Sequence, residues 1–186
     1  MAFIKIIEPE EAEGRLQEIY NDLVTKRGKI AEVHKITSLN PETIVAHMDL
    51  YLMIMFGQSP LKRVQREMIG VVVSIANNCE YCQRHHAAAM NTYWKNDEQI
   101  EAFLFDFKSV ELAEVDKELC NLAWQLTRFP SNDVSVPIIE KLKELVLDDR
   151  AILDATLVVG YFNFVNRIVL GLGVQLEEDN GEGYKY

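Results

Sequence analysis

The chain has 186 residues, the size of one domain able to bury a core without metals or disulfide staples. Its 48% hydrophobic and 26% charged residues exclude the disordered, collagen-like and disulfide-framework classes. Nineteen Lys and Arg against 29 Asp and Glu leave a formal charge of -10, a field that repels phosphate backbones and anionic lipid, so neither nucleic acid nor a membrane surface is an expected partner.

The opening MAFIKIIEPEEAEG has no basic lead and no long apolar run, so no secretory signal is expected and a cytoplasmic location is. Glycine and proline are scarce, and Pro9, Pro41 and Pro60 each precede a segment of helical apolar spacing. The spacing predicts helices over Pro9–Thr25, Lys29–Ser38, Pro41–Phe56, Pro60–Ala76, Glu80–Trp94, Asp97–Phe107, Val115–Arg128, Val136–Leu147 and Asp149–Leu172, with Asn40 and Ser59 as N-caps of two of them. No segment alternates as a strand does. The expectation is an all-α, single-domain helical bundle over residues 1–176, followed by a flexible acidic tail at 177–186. Leu50–Phe56, LYLMIMF, is apolar all round, which calls for cover on both sides, from the chain's own core or from a second copy. The apolar stretch at 151–174 is interrupted by Asp154, Asn163, Asn166 and Arg167 and is not expected to span a membrane. Arg150–Gly171 laid over Arg66–Ala87 gives similar apolar profiles, the trace of an internal repeat.

Three cysteines are too few for a framework, so the close pair Cys79 and Cys82 reads as redox or metal chemistry. The pair follows a polar break at Asn77–Asn78 and opens a predicted helix, where unpaired N–H groups and the macrodipole favour thiolate over thiol. Sulfurs three residues apart in a first turn can cycle between dithiol and disulfide. At about 100° per residue, His86 falls about 20° from Cys79 and shares the cysteine face, whereas His85 falls about 120° away. His86 can therefore take the thiol proton or return one to a leaving oxygen. Glu67, on the preceding helix, can orient His86 or collect a proton, the latter if burial holds its carboxyl near neutrality. Gly70 and Ala76 are small enough for two helices to come close there. Zinc needs a fourth ligand from elsewhere, and only His34 or His47 could complete a set with Cys79, Cys82 and His86. Cys120, in LCNLAW, reads as a small buried hydrophobe.

Together Glu67, Cys79, Cys82 and His86 give E-x11-C-x2-C-x3-H, which resembles the signature of the alkylhydroperoxidase D-like, carboxymuconolactone decarboxylase-related family. The C-terminal YFNFVNRIVLGLGV resembles the closing helix of that family's peroxidase-related branch. The resemblance implies an all-α fold assembled as a trimer or hexamer. It also implies that Cys82 is the peroxide-attacking thiolate, Cys79 the resolving cysteine, and Glu67 with His86 the proton relay. Tyr81 stands where well-studied members carry a second histidine, and a phenol is a poor base at pH 7. Decarboxylases of the wider family do not rely on a cysteine pair.

The expected activity is thus a thiol-dependent hydroperoxide reductase for antioxidant defence, with catalytic Cys82, Cys79, His86 and Glu67 and no metal, haem or flavin. Its partners would be a small-molecule hydroperoxide, an external lipoyl- or thioredoxin-like dithiol, and further copies of itself. The rival readings are a disulfide relay, a carboxymuconolactone decarboxylase-like enzyme and a zinc-stabilised scaffold.

Overall fold

The structure is a computed structural model and describes residues 2–177. Among the described residues it is all helix and loop: α1 (Gly14–Arg27), α2 (Glu32–Lys35), α3 (Pro41–Phe56), α4 (Arg63–Ala76), α5 (Glu80–Trp94), α6 (Asp97–Asp106), α7 (Glu114–Arg128), α8 (Asn132–Glu144) and α9 (Asp149–Leu172). The expected all-α class is what the chain adopts.

Helix α4 is the hub, packed against α3, α5, α7 and α9. Ten of its 14 residues are buried, including Glu67 and the run from Met68 to Ser74. Gly70 is the point of closest approach, since a Cβ there would stand 2.7 Å from the Phe162 ring of α9. The small residue therefore admits α9 rather than α5. Helix α9 is long and apolar enough to cross a bilayer by length and composition, but its inner face, from Ala151 to Val169, packs into this bundle.

Proline was a less faithful guide to helix starts than the sequence implied. Pro41 does open α3, but Pro9 opens only a single 3-10 turn at Pro9–Glu11. Pro60 precedes a turn in which Ser59 Oγ accepts from the Leu61 N–H at 3.1 Å, and α4 begins at Arg63, with Gln65 Oε1 accepting from the Lys62 N–H at 2.8 Å. Helix α8 starts at Asn132, four residues ahead of its expected Val136, because Ser131 Oγ caps the Val134 N–H at 3.3 Å; Pro137 then lies inside the helix. The segments suggested as a repeat also differ, one being the continuous α9 and the other broken between α4 and α5.

Among the described residues, the cover expected on both sides of Leu50–Phe56 is incomplete. Tyr51 and Met55 are buried, whereas Leu50, Leu52, Met53 and Phe56 are exposed, Met53 at 66%. Leu153, Leu157 and Phe164 form a matching exposed stripe along α9, which packs beside α3.

Candidate functional site

The break between α4 and α5 is built to hold a tight turn. Asn78 takes a left-handed φ of 56°, a conformation Asn tolerates better than most residues. The Cys79 N–H then donates to the Ser74 carbonyl at 2.9 Å and Arg128 reaches the Ala76 carbonyl at 3.0 Å, so the last turn of α4 is closed from two sides. Asn77 Nδ2 donates to Asn163 and Asn166 of α9 at 3.1 and 3.0 Å, and Asn166 donates in turn to Ser74 Oγ at 3.2 Å. This buried amide network fixes where the cysteines begin.

Cys79 is the N-cap of α5 and Cys82 lies one turn in; both are free thiols, 0% and 2% exposed. The Cys82 thiol and its backbone N–H both point their hydrogens at the Cys79 sulfur, so the anion of the pair is favoured on Cys79 despite its burial. The same hydrogen bond, with burial, pushes the Cys82 thiol up, and the Asn166 amide offsets this in part. The helix-terminus effect expected for the attacking sulfur thus acts on the other one. A Cys82 thiolate needs a base.

His86 lines the same cleft as Cys82. His86 Nδ1 lies 2.7 Å from Glu67 Oε2, while Glu67 Oε1 accepts from Arg63 Nε at 2.8 Å and also from its Nη2. Burial, the largest influence on the Glu67 carboxyl, pushes it up, but His86 and Arg63 outweigh it and hold it below the ordinary carboxylate range. Glu67 is therefore an anion that orients, and the idea of a near-neutral carboxyl collecting protons does not survive. Because a carboxylate only accepts, the His86 hydrogen that meets Glu67 sits on Nδ1, and in the neutral ring this leaves the lone pair on Nε2. The Phe162 ring that Gly70 admits stacks edge-on to His86 at 4.4 Å and sets its plane.

Cys82 and His86 line one cleft of about 650 Å³, counting its open mouth; Cys79 and Glu67 lie behind its wall. All four histidines of the chain face it, together with Tyr51, Tyr81, Tyr161 and Phe162, while Arg27 and Lys29 stand at its edge. His47 Nε2 pairs with the Tyr161 hydroxyl at 2.6 Å, and burial lowers its pKa to about 4. Burial lowers His34 to about 3, with His47 and Arg27 adding to the effect, and its Nδ1 is buried with no hydrogen-bond partner among the described residues. No three His, Cys, Asp or Glu side chains among the described residues converge as a metal cage.

His85, placed off the cysteine face by helical angle, nonetheless reaches the cleft. Its Nε2 lies 2.7 Å from Glu177 Oε2, and its ring stacks on Tyr81 at 4.2 Å. Glu177 Oε1 accepts from the Tyr81 hydroxyl at 3.1 Å and from the Glu32 N–H at 3.1 Å. Burial pushes the Glu177 carboxyl up, but His85 and the N–H donor prevail and bring it down to about 2. Glu177 is the first residue of the segment read as a tail; 178–186 lie outside the described residues. Sequence reasoning missed it, since nothing in the chain's local pattern ties a residue beyond α9 to α5. Arg63 was missed too, although its i,i+4 spacing to Glu67 carried the signal.

Cys120 is 1% exposed, and burial, with Asp116 nearby, pushes its thiol up. It belongs to the core.

The chain is similar to several known proteins. Residues 41–106, which carry Glu67, Cys79, Cys82 and His86, match the family model described as carboxymuconolactone decarboxylase family. YdfG of Bacillus subtilis (strain 168), itself uncharacterised, is 27% identical over 120 residues, 62% of this chain and 78% of YdfG. A crystal structure of a peroxidase-related protein from Silicibacter sp. TM1040 superposes with a TM-score of 0.82 at 26% identity, covering 96% of this chain and 90% of that one. An alkylhydroperoxidase D core structure, a peroxidase-related protein from Ralstonia eutropha JMP134, gives 0.86 at 19% identity over 97% and 94% of the two chains, a likeness of fold. Residues 41–106 are thus similar to the carboxymuconolactone decarboxylase family, and the chain as a whole shares the all-α, alkylhydroperoxidase D-like fold of these structures.

Proposed function

We propose that this chain is a cytoplasmic thiol-dependent hydroperoxide reductase with an antioxidant role. The observation that carries the reading is the Glu67–His86 pair at 2.7 Å, one turn beyond a buried free Cys79/Cys82 pair of which Cys82 lines the cleft. His86 Nε2 takes the Cys82 proton, and the thiolate attacks the terminal oxygen of a hydroperoxide to give Cys82 sulfenic acid and an alcohol. Cys79 then displaces water from that sulfur and forms the disulfide. The favoured anion on Cys79 suits this second step, since the resolving sulfur must also attack as thiolate. An external lipoyl- or thioredoxin-like dithiol resets the pair.

The exposed apolar stripes of α3 and α9 fit a homo-oligomer in which a second copy covers them, and a trimer or hexamer is the assembly we expect. The test is consumption of tert-butyl hydroperoxide by the reduced protein. Wild type should consume it with loss of both thiols, and Cys82→Ser should not; equal consumption by the two would overturn the reading.

A further inference from the structure

Helix α9 meets the cysteine pair through a chain of polar side chains whose direction is fixed at both ends. At one end the Arg167 guanidinium, which only donates, reaches Asn163 Oδ1 at 2.9 Å, and Asn163 Nδ2 donates to the Val159 carbonyl and to Thr127 Oγ1, each at 3.0 Å. Asn163 Oδ1 is therefore an acceptor, and the Asn77 atom that faces it is the amide nitrogen. That nitrogen also donates to Asn166 Oδ1 at 3.0 Å. At the other end the Gly70 carbonyl, which only accepts, takes the Ser74 hydroxyl hydrogen at 2.8 Å. A hydroxyl has one hydrogen, so toward Asn166 Nδ2, at 3.2 Å, Ser74 Oγ can only accept. The two ends agree: the Asn166 oxygen faces Asn77 and its nitrogen faces Ser74. A half-turn of the amide would break both bonds.

An amide nitrogen carries two hydrogens, and Ser74 takes one of them. The other meets the Cys82 sulfur. Asn166 is buried, so this bond is shielded from water. The donor matters because the first turn of α5 serves the other sulfur, the Cys82 backbone N–H being spent on Cys79. A charge on Cys82 must be met by a donor from elsewhere in the chain. We infer that Asn166 is a further catalytic residue: its second amide hydrogen, aimed by Asn77 and Ser74, holds the negative charge on Cys82 Sγ once that thiol has given up its proton. The inference deepens the peroxidase reading, which names Cys82 as the attacking sulfur, but concerns only the charge on that sulfur. A donor already in place costs no reorganisation when the charge appears. Phe162 lies one turn earlier on α9 and stacks edge-on to His86, so successive turns of one helix hold the base and the anion.

The experiment reads the ionisation of Cys82 without any peroxide. In a Cys79→Ser background, alkylation of Cys82 by iodoacetamide is timed against pH by peptide mass spectrometry, with Asn166→Leu, Asn166→Asp and Ser74→Ala added singly. Asn166→Leu removes the donor, Asn166→Asp keeps the shape but presents an acceptor, and Ser74→Ala cuts the network while leaving the amide hydrogen on the sulfur. The other titratable groups around the sulfur, His86 of α5, Tyr161 of α9, His47 and Tyr51 of α3 and Glu67 of α4, are the same throughout the series. Both Asn166 variants should move the alkylation midpoint up by about one pH unit or more and slow the reaction at pH 7 about tenfold. Ser74→Ala should stay within about twofold of its parent. An unmoved midpoint in folded Asn166→Leu would overturn the inference, as would an equal shift in Ser74→Ala, the mark of packing alone. Circular dichroism establishes the fold of each variant, and should Asn166→Leu fail to fold, Asn166→Asp decides by the same criterion. A last arm mixes wild type with tert-butyl hydroperoxide: an inert wild type beside raised midpoints in the Asn166 variants would overturn the peroxidase reading and uphold the thiolate donor.

Discussion

Glu67 reaches His86 with one carboxylate oxygen and Arg63 with the other, and it does so from a position that is 0% exposed. The arrangement fixes the His86 tautomer by an acceptor that cannot donate. Glu67→Gln keeps the shape but offers an N–H to His86 Nδ1, which moves the ring hydrogen to Nε2 and removes the lone pair from the sulfur side. The rate of Cys82 oxidation by tert-butyl hydroperoxide should fall by about 100-fold or more in stopped flow. A fall of less than about threefold would mean that His86 is not the base.

His34 and His47 make the fold acid-sensitive above the range where carboxylates titrate. Their folded pKa values, about 3 and about 4, lie below the ordinary 6.5, so they stay neutral in the folded chain while the unfolded chain takes up protons. Stability from each is fully present above about pH 6.5 and is lost as pH falls toward the folded values, a loss of about 2 kcal/mol per histidine by pH 5. The urea midpoint should drop between pH 7 and pH 5, and His34→Leu should lose less than wild type over that interval. Equal midpoints at the two pH values would contradict the burial-based shifts.

The exposed stripe of Leu153, Leu157 and Phe164 on α9, beside Met53 and Phe56 of α3, predicts self-association. Light scattering should give a mass that is a multiple of one chain, and Leu157→Glu should reduce it to a single chain without changing the circular dichroism spectrum. A wild type that runs as one chain at micromolar concentration would contradict this.

Val146 sits at φ 68° just after α8 and is 90% exposed. A β-branched side chain in the left-handed region costs about 1–2 kcal/mol, and here there is no packing to lose. Val146→Gly should therefore raise the melting temperature by about 2–4 °C in calorimetry. A lower melting temperature would show that the side chain is stabilising where it stands.

Much of this site was legible because its key spacings are local. The α3 and α5 limits coincide with the expected Pro41–Phe56 and Glu80–Trp94, since a proline start, a polar break and a continuous apolar period define both. Glu67 and His86 could be paired on the page because a short turn joins their helices. Pro60 misled, and the α8 start expected at Val136 fell late, because neighbouring Ser59 and Ser131 side chains decide where the free N–H groups are satisfied. Glu177 could not be read at all, as its partners Glu32, Tyr81 and His85 lie on segments that only the packed chain brings together. The preference of the anion for Cys79 over Cys82 depends on which sulfur receives the other's hydrogen, a detail that spacing does not contain.

The most direct test of the dithiol cycle is to locate the first oxidised sulfur. Cys79→Ser is exposed to one equivalent of tert-butyl hydroperoxide in the presence of dimedone, and the adduct is mapped by mass spectrometry, with wild type in parallel. The expected result is a dimedone adduct on Cys82 in the variant and a Cys79–Cys82 disulfide in wild type. An unmodified Cys82 in the variant, with Cys79 trapped as the sulfenic acid in Cys82→Ser, would contradict it.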